Sequence, residues 1–481
     1  MRKLLRNPLA TVTLVLTMLV SSYIFYALNS GITITNDGSH FALFDALVTT
    51  GNPELKHVKQ FAFNDSALYE GKYYADRNPG LALLSYAFYQ GVRPLETWMH
   101  PLNLDPKMAR RYRPEQESRV KIVMLVPVLS GSLLLLGMIA LGVNQGNALA
   151  TAVIAAVTLM AGTVLMRYST LLYSHVTAAA LLIWGLLLIF RFRTHGRSLD
   201  VITGTFLLSL AVLVEHLLIL AFIPVFTYLL LYCRSRLLSP KTLAMTITAG
   251  LLPMLALMVY NWVCFESPFS LAHFHHSTDT ANHQLGSLFK FENQGKVLQN
   301  LFFGAPKEEV GRQDLTGLIS ASPFLIIILL PLINRLLKKE WPKAEIVTLA
   351  SVIALIVLGA SSFHSPYGGW DRDYRYFVVI VPLFAPFVAQ ALTLMFKPAE
   401  NTIIRVAQWL LLVIFSYLAW LSISFHFQHI RHAMQVQYET PWINLQAALV
   451  NVSLFWLYLA ALTSMLVVLV KATRRPTKNK L

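Results

Sequence analysis

The sequence predicts an all-α, polytopic membrane helix bundle, and three observations support that fold class. Of the 481 residues, 56% are hydrophobic and only 13% are charged, whereas about 25% of the residues of an ordinary soluble domain carry a charge. The mean hydropathy is +0.55. Apolar runs of about 20 residues, the length that crosses a bilayer as a helix, recur along the chain. A chain embedded in lipid in this way is expected to form one unit, residues 1–481.

The apolar runs predict about twelve transmembrane helices. The first is interpreted as a retained signal anchor, because its apolar run of about 20 residues is long for a signal peptide and no small-x-small cleavage site follows. The apolar segment 200–233 is too long for one span, so a tight hairpin at Glu215-His216 is predicted. The predicted helices are 8–29, 119–142, 147–166, 171–191, 200–215, 217–233, 242–262, 317–334, 345–361, 376–396, 404–425 and 449–470.

The formal net charge of +15 comes mostly from basic residues that flank apolar runs. Lys and Arg concentrate in alternate short loops, and the positive-inside rule therefore predicts that these loops and both termini are cytoplasmic. The basic tail 471–481 is expected to lie on anionic lipid headgroups. This distribution accounts for the charge without nucleic acid, which is excluded as a partner. Cys233 and Cys264 fall on opposite predicted faces, so no disulfide is expected between them.

Three charged or long segments are predicted on the outer side: 30–118, 263–316 and 362–375. Long ordered loops usually carry function. The first loop contains PGLALLSYAFYQGV (Pro79–Val92), whose apolar run of about 12 residues is too short to span a bilayer. It is predicted to be an interfacial or re-entrant helix.

Acidic residues follow directly on the first predicted span. Asp37, in the stretch TITNDGSH, either caps the helix that SHFALFDALVTT would form or serves as a general base. Asp45 lies eight residues further on and is interpreted as a solvated side chain.

A second candidate site is the stretch Asp76-Arg77-Asn78-Pro79. It follows EGKYY, which resembles a β-hairpin with a Glu-Gly turn, and it precedes the interfacial helix. An acid and a base beside a helix amino terminus could bind phosphate, because that end offers free N–H groups. The alternative is an Asp-Arg ion pair followed by a proline in the first helical turn.

A third candidate is HSPYGGWDRDYRYFVV, residues 364–379, at the outer mouth of a predicted span. Arg372 and Arg375 could bind phosphate oxygens, and Trp370 and the tyrosines could stack on a sugar. The alternative is an aromatic belt with mutually paired charges.

The remaining candidates are single ionisable residues and a histidine-rich loop. Glu215, at the outer hairpin, either faces a cavity or pairs with Arg167 on a neighbouring turn. The loop has potential metal ligands without a fixed zinc spacing, so no metal is predicted there: His273, His275, His276, Asp279 and His283.

The order and predicted side of these motifs resemble the GT-C class of integral membrane glycosyltransferases, of the protein O-mannosyltransferase and aminoarabinose transferase type (glycosyltransferase family 39-like). In NDGSH, Asp37 matches the Asp that this family places after its first span, and His40 matches the polar residue that follows. In GKYYADRNPGLALLSYAFY, three residues match the charged element and the proline before a helix on the membrane: Asp76, Arg77 and Pro79.

The last motifs, FESPFS and YGGWDRDYRYFVVIVPL, resemble the family's Gly-Ser-Pro-Phe and Arg-Tyr-x-x-x-x-x-Pro-Leu patterns, with Arg375-Tyr376 at the Arg-Tyr position. The resemblance covers most of residues 1–396. The second acid of the usual Asp-Glu pair is Gly38, so a metal held by paired acids is not implied, although a divalent cation stays an open alternative. Arg77-Asn78-Pro79 replaces the His-Pro-Pro form, which disfavours mannosyl transfer to protein.

The resemblance implies transfer of a hexosyl or pentosyl group from a polyprenyl-phosphate carrier to a hydroxyl of a cell-envelope lipid, glycan or protein, at the outer face of the cytoplasmic membrane. Asp37 is the expected general base, and direct displacement with one base predicts inversion at the anomeric carbon. The expected ligands of the donor phosphate are Arg77, Arg375 and Arg372. The other expected substrate-binding residues are His40, Tyr73, Tyr74, Asp76, Glu215 and Trp370.

Two alternative functions follow from the same pattern. A polysaccharide polymerase or ligase would also work on the outer side with a carrier lipid. A secondary transporter or lipid-carrier flippase would place ionisable groups near the membrane midplane, often with inverted repeats. The charges of this chain collect instead at the predicted outer rim, which favours chemistry at the surface. No P-loop, nucleophile elbow or HExxH motif occurs, so the activated substrate is expected to come from the bilayer.

Overall fold

The computed structural model describes residues 8–28, 32, 36–94, 114–278, 289–310, 314–367, 374–397, 399 and 401–437. The predicted helix 449–470 and the basic tail 471–481 lie outside this part of the chain. Four residues singled out in the sequence lie outside it as well: Trp370, Arg372, Asp279 and His283.

The described chain is a helix bundle with one small β-hairpin. In chain order its elements are α1 (Pro8–Ala27), α2 (Asn36–Thr50), α3 (Lys59–Ala62), β1 (Ser66–Tyr69), β2 (Lys72–Ala75), α4 (Gly80–Val92), α5 (Pro114–Val123), α6 (Leu125–Asn144), α7 (Leu149–Ala161), α8 (Leu165–Tyr168), α9 (Ser174–His195), α10 (Ser198–Val214), α11 (Phe222–Leu237), α12 (Pro240–Phe265), α13 (Gln294–Phe303), α14 (Lys307–Val310), α15 (Leu318–Ala321), α16 (Leu329–Lys338), α17 (Ala344–Ser362), α18 (Ala385–Phe396) and α19 (Thr402–Gln437). Short 3₁₀ helices lie at His216–Ala221, Ala272–His275, Pro323–Ile328, Arg375–Phe377 and Val381–Phe384.

Six helical segments of the described chain are long and apolar enough to cross a membrane: Glu115–Asn144, Ser174–His195, His216–Leu237, Pro240–Phe265, Ala344–Ser362 and Thr402–Gln428. Four shorter apolar helices accompany them: Val15–Tyr26, Leu149–Ala161, Ser198–Val214 and Val381–Phe396. The prediction of an all-α, multi-pass membrane bundle is confirmed. The number of about twelve spans stays a prediction.

Two predicted spans are less regular than expected. The segment predicted as helix 317–334 consists of α15, a 3₁₀ helix that begins at Pro323, and α16. The segment predicted as 376–396 starts with 3₁₀ turns around Pro382 and becomes a regular helix only at Ala385. Proline lacks the N–H that a helix interior needs, and this explains the tighter turns at Pro323 and Pro382.

The predicted hairpin after α10 is present, and it places Glu215 beside the start of α9. Glu215 adopts an extended conformation with φ −145° and ψ 102°, which ends α10. Asp200, near the start of α10, lies 3.9 Å from Arg191 near the end of α9, so the two helices are antiparallel. At the end of α11, Arg236 donates a hydrogen bond to the Arg193 carbonyl. The chain therefore runs back along the bundle after Glu215.

The segment between α1 and α5 carries the predicted β-hairpin. Strands β1 and β2 pair antiparallel, with Ser66 opposite Ala75 and Tyr69 opposite Lys72. Glu70 and Gly71 form the turn and have positive φ values of 47° and 76°, as a two-residue hairpin turn requires. Ser277 donates a backbone hydrogen bond to the Ser66 carbonyl. The second long loop is thereby attached to the hairpin of the first.

The helix α4, predicted to lie at the interface, packs one face against the bundle. Tyr89 contacts Phe44 of α2 edge to face, with ring centroids 5.5 Å apart. At its amino terminus Gly80 lies against the backbone of α10, where a Cβ atom would come within 2.5 Å of the Leu213 carbonyl carbon. This approach places the residues just before α4 next to the end of α10.

The close contact at Gly80 gives a stability prediction. Gly80→Ala should destabilise the protein by about 1–3 kcal/mol or more, because the new methyl group meets backbone atoms that cannot rotate away. Gly91→Ala in the same helix is the control, since a Cβ there meets nothing within 4 Å and alanine favours helix by about 1 kcal/mol. Thermal unfolding in detergent measures both. Equal unfolding temperatures for the two variants would contradict the packing of α4 on α10.

Candidate active site

A cavity of about 330 Å³ lies where α2, the turn before α4, and the start of α9 meet. Its polar wall includes Asn36, His40, Arg77, His175, Glu215 and Arg375. Its apolar wall includes Leu217, Ile219, Leu220, Leu271, Phe289 and Phe363. Ile219 is itself 51% exposed on the outside of the bundle. The cavity thus has one wall of charged and polar groups and one apolar wall that is compatible with a lipid chain.

Four of the predicted site residues line this cavity: His40, Arg77, Glu215 and Arg375. They come from segments that are far apart in the sequence. Asp76 is buried directly behind Arg77. The two candidate tyrosines contribute to packing: Tyr73 lies under the Lys59 ammonium group, 3.4 Å from the ring centroid, and Tyr74 is buried against Phe265.

Asp37 lies in the first turn of α2 with its side chain fully buried. Its Oδ1 accepts a hydrogen bond of 2.9 Å from the Gly38 N–H. A negative charge in the first turn is favourable because it faces the positive end of the helix dipole. The neighbours Asn36 and His40 line the cavity, so Asp37 sits beside the cavity wall within the same helical turn.

Asp45, interpreted as solvated from the sequence, is in fact buried, and that interpretation was wrong. Its carboxylate accepts hydrogen bonds from Arg119 at 2.6 Å and from Gln116 at 2.9 Å. The cause is the packing of α2 against α5, which covers this face of α2. The partners are more than 70 residues away in the sequence, and local pattern does not reveal them.

Arg77 is held between two carboxylates. Its Nη2 lies 2.7 Å from Asp65 Oδ2, and its Nε lies 3.4 Å from Asp76 Oδ1. Asp76 also accepts a hydrogen bond of 3.2 Å from the Ser39 hydroxyl. Burial alone would raise the pKa of Asp76, but the charge of Arg77 and a hydrogen bond from His276 hold it below its usual range. The predicted Asp76–Arg77 ion pair therefore exists, and it fixes Arg77 at the cavity.

Three side chains behind Arg77 could hold a metal ion: Asp65, Asp76 and His276. Their ligand atoms lie within 4.8 Å of one another, and two carboxylates with an imidazole suit a divalent cation such as zinc. Arg77 already neutralises both acids at hydrogen-bond or ion-pair distance. A cation bound there would have to displace the guanidinium group.

Arg375 is the second cation of the cavity. It is 91% buried, as its exposed fraction of 9% shows, and its Nη2 donates a hydrogen bond of 3.1 Å to the Tyr376 hydroxyl. Within the described part of the chain, no carboxylate lies at ion-pair distance from it, and its Nε has no hydrogen-bond partner. Burial and, to a smaller degree, the charge of Arg375 oppose the protonated form of Arg77, but the charges of Asp76 and Asp65 hold the pKa of Arg77 above its usual value. Two guanidinium groups in the wall of one cavity, one of them without a carboxylate partner among the described residues, form a site for an anion.

Four histidines line the cavity: His40, His175, His216 and His273. Burial, reinforced by the charge of Arg77, lowers the pKa of His40 to about 3. Burial likewise lowers the pKa of His273. Both side chains are therefore neutral near pH 7 and can donate and accept hydrogen bonds. The sequence alone did not identify His216 or His273 as cavity residues, because only the fold brings their segments together.

The contact between His276 and Asp76 gives a pH prediction. The hydrogen bond to Asp76 raises the pKa of His276, so the contact stabilises the fold below the ordinary histidine pKa and is lost as pH rises through the raised value. Asp76, whose pKa is lowered, stays ionised over this range. The difference in unfolding temperature between wild type and His276→Gln should be largest near pH 6 and should shrink towards about pH 9.

The matched control for this pH prediction is His195→Gln. His195 is the last residue of α9, and its side chain is exposed. Its difference from the wild type should not vary with pH in the same way. If the difference in unfolding temperature between wild type and His276→Gln stayed constant between about pH 6 and pH 9, the hydrogen bond between His276 and Asp76 would be contradicted.

No protein-family model matches the chain, and no curated protein sequence matches it. Solved structures with the same fold do exist. ArnT from Cupriavidus metallidurans, bound to undecaprenyl phosphate, aligns with a TM-score of 0.51 at 13% identity, over 94% of this chain and 76% of that chain.

The oligosaccharyltransferase of Archaeoglobus fulgidus, in its apo form, aligns with a TM-score of 0.53 at 14% identity, over 86% of this chain and 56% of that chain. The archaeal oligosaccharyltransferase AglB from the same organism, in complex with an inhibitory peptide and a dolichol-phosphate, aligns with a TM-score of 0.51 at 13% identity. The alignment covers 87% of this chain and 56% of that chain. This chain therefore spans little more than half of the archaeal enzyme. The similarity establishes the architecture: the chain has the fold of the GT-C membrane glycosyltransferases.

Proposed function

We propose that the protein is a membrane glycosyltransferase that moves a sugar from a polyprenyl-phosphate carrier to a hydroxyl group at the outer face of the cytoplasmic membrane, with inversion. The observation that carries this proposal is a pair of guanidinium groups in the wall of one cavity, the buried Arg375 and the partly buried Arg77. Arginine binds phosphate oxygens through two parallel hydrogen bonds. Arg375 has no carboxylate at ion-pair distance among the described residues and therefore gains most from a bound phosphate, while Arg77 lies in the wall of the same cavity.

The apolar wall of the cavity supports a lipid as the source of that phosphate. Leu217, Ile219 and Leu220 belong to the 3₁₀ helix that opens the hairpin after Glu215, and Ile219 is exposed on the bundle surface. A prenyl chain could leave the cavity along this wall into the bilayer. The solved structures with this fold include one bound to undecaprenyl phosphate and one in complex with a dolichol-phosphate.

In the proposed reaction, Asp37 takes the proton of the acceptor hydroxyl while the acceptor oxygen bonds to the anomeric carbon. The bond between that carbon and the phosphate oxygen breaks, and the carrier phosphate leaves with the electron pair. Arg77 and Arg375 hold the charge of the leaving phosphate, which is the stabilisation that this step needs most. Arg372 is proposed as a third phosphate ligand and Trp370 as a substrate contact, from the sequence. Because one displacement occurs, the configuration inverts.

Asp37 has to reach the acceptor for this chemistry. Its carboxylate is buried beside the wall formed by Asn36 and His40, so substrate binding must reorient the first turn of α2. Catalytic hydrogen bonds often become short only in the substrate complex. Both termini are proposed to be cytoplasmic, which places this end of the bundle on the outer side.

The test uses the purified full-length protein in lipid vesicles with polyprenyl-phosphate donors that carry labelled sugars, and with envelope lipids or glycans as acceptors. Release of the sugar from the carrier, with formation of a glycosylated product, supports the proposal. Movement of an intact donor across the bilayer without release would support a flippase instead. Products that grow by many units would support a polymerase.

A further inference from the structure

The cavity wall contains a histidine–carboxylate pair, His175 and Glu215. The His175 Nδ1 atom lies 3.1 Å from Glu215 Oε2, and the Ser174 hydroxyl donates a hydrogen bond of 2.9 Å to the same oxygen. His175 is only 4% exposed, and its Nε2 has no hydrogen-bond partner. Glu215 and His175 thus hold each other in place while one imidazole nitrogen is left for a ligand.

An unpartnered buried polar atom is costly, by about 1–3 kcal/mol, and its presence needs a reason. The cavity has two such imidazole nitrogens near Glu215, on His175 and on His216. The second nitrogen belongs to the residue that follows Glu215 in the chain. Their positions in the wall of one cavity indicate that a ligand with several hydroxyl groups would complete these hydrogen bonds.

Tyr376 links this pair to the arginine side. Its ring centroid lies 5.0 Å from the Arg375 Cζ atom and 6.1 Å from the centroid of the His175 ring. A donor whose phosphate is bound by Arg375 would therefore have its sugar beside Tyr376 and within the part of the cavity that His175 and Glu215 line. The prenyl chain, on the other side of the phosphate, would follow the apolar wall.

The fold holds this pair rigidly. Helices α9 and α10 cross closely at Gly185 and Gly204, where an added Cβ would come within 3.0 Å of the opposite glycine carbonyl. Small residues at such a crossing allow two backbones to approach. His175 is further surrounded by Tyr168, Tyr173 and Tyr376, with ring centroids 5.6, 6.4 and 6.1 Å away. The positions of His175 and Glu215 are thus set by packing before any ligand binds.

We infer that His175 and Glu215 bind the hydroxyl groups of the donor sugar and select a sugar without a carboxylate. This inference rests on the proposed function and deepens it. The carboxylate of Glu215 accepts hydrogen bonds from sugar hydroxyls, and His175 Nε2 provides a further one. A uronic acid would bring a second negative charge beside Glu215, and like charges at short distance in a buried site are strongly unfavourable. The substrate class is therefore a neutral or amino sugar and excludes uronic acids.

The test compares three kinds of probe on the full-length protein in detergent: polyprenyl phosphate alone, polyprenyl-phospho-hexoses (glucose, galactose, mannose), and the corresponding polyprenyl-phospho-uronates. Displacement of labelled polyprenyl phosphate measures each affinity. The wild type should bind at least one neutral donor about tenfold more tightly than the sugar-free carrier, and no uronate more tightly than that carrier. Glu215→Gln should abolish the preference for the neutral donor and leave affinity for the sugar-free carrier within about twofold.

Two further variants keep the inference falsifiable if Glu215→Gln does not fold. Ser174→Ala removes a hydrogen bond to Glu215, and His175→Gln keeps an amide donor. Each should raise the KM for the donor more than it lowers kcat. The inference is overturned if the wild type binds a uronate as tightly as its neutral counterpart, or if these variants keep the full preference. If the wild type does not bind polyprenyl phosphate at all, the proposed function itself fails, and the two failures are thus distinguishable.

Discussion

Replacement of Asp37 by asparagine is expected to lower the rate of sugar transfer by about 10²–10⁴-fold, the usual contribution of a general base. Asparagine has nearly the same shape and keeps the oxygen that accepts the Gly38 N–H, so the first turn of α2 should persist. Affinity for polyprenyl phosphate should not change, because Asp37 does not hold the phosphate. The measurement is kcat for labelled-sugar transfer, together with carrier affinity and the unfolding temperature.

The matched control is Asp45→Asn, the same substitution in the same helix. Asp45 is as buried as Asp37, but it pairs with Arg119 and Gln116. Its loss should lower the unfolding temperature, since it leaves a partly buried arginine without its anion, and should leave kcat nearly unchanged. Full activity of Asp37→Asn, or an equal loss of kcat in both variants, would refute the assignment of the base.

Replacement of Arg375 by glutamine should weaken binding of polyprenyl phosphate by roughly 10- to 150-fold, which corresponds to the loss of hydrogen bonds worth about 1.5–3 kcal/mol to a charged group. The same variant should unfold at nearly the same temperature without ligand. The reason is that Arg375 has no anionic partner among the described residues, so its removal leaves no buried carboxylate unpaired there and takes a charge out of a buried position.

Arg193→Gln serves as the control for Arg375. This arginine lies at the opposite end of the bundle, where it is paired with Glu345 at 2.8 Å and lies over the Tyr232 ring. Its removal should lower the unfolding temperature and leave carrier affinity unchanged. If Arg375→Gln instead destabilised the free protein and bound the carrier normally, Arg375 would be a structural residue, and the phosphate site would have to lie elsewhere.

The chemistry of the site was partly predictable. Asp37, Arg77, Arg375 and Glu215 were singled out because charges are rare in this chain and these lie beside predicted spans. That reasoning is local, since it needs only the position of a charge relative to an apolar run. Three of the four line one cavity. Asp37 is buried next to this cavity. Its burial could not be predicted from its position in the sequence.

The sequence by itself determined the class of fold, the hairpin at Glu215-His216 and the Glu-Gly turn between β1 and β2. Each depends on properties that a short segment carries alone: length and hydropathy for a span, and backbone preference for a turn. The tertiary structure alone decided that Asp45 is buried against Arg119, that Arg77 is held by Asp65, and that histidines from four segments converge on one cavity. Those outcomes depend on which distant segments pack together, because the burial and pairing of a polar side chain are properties of its neighbours in space.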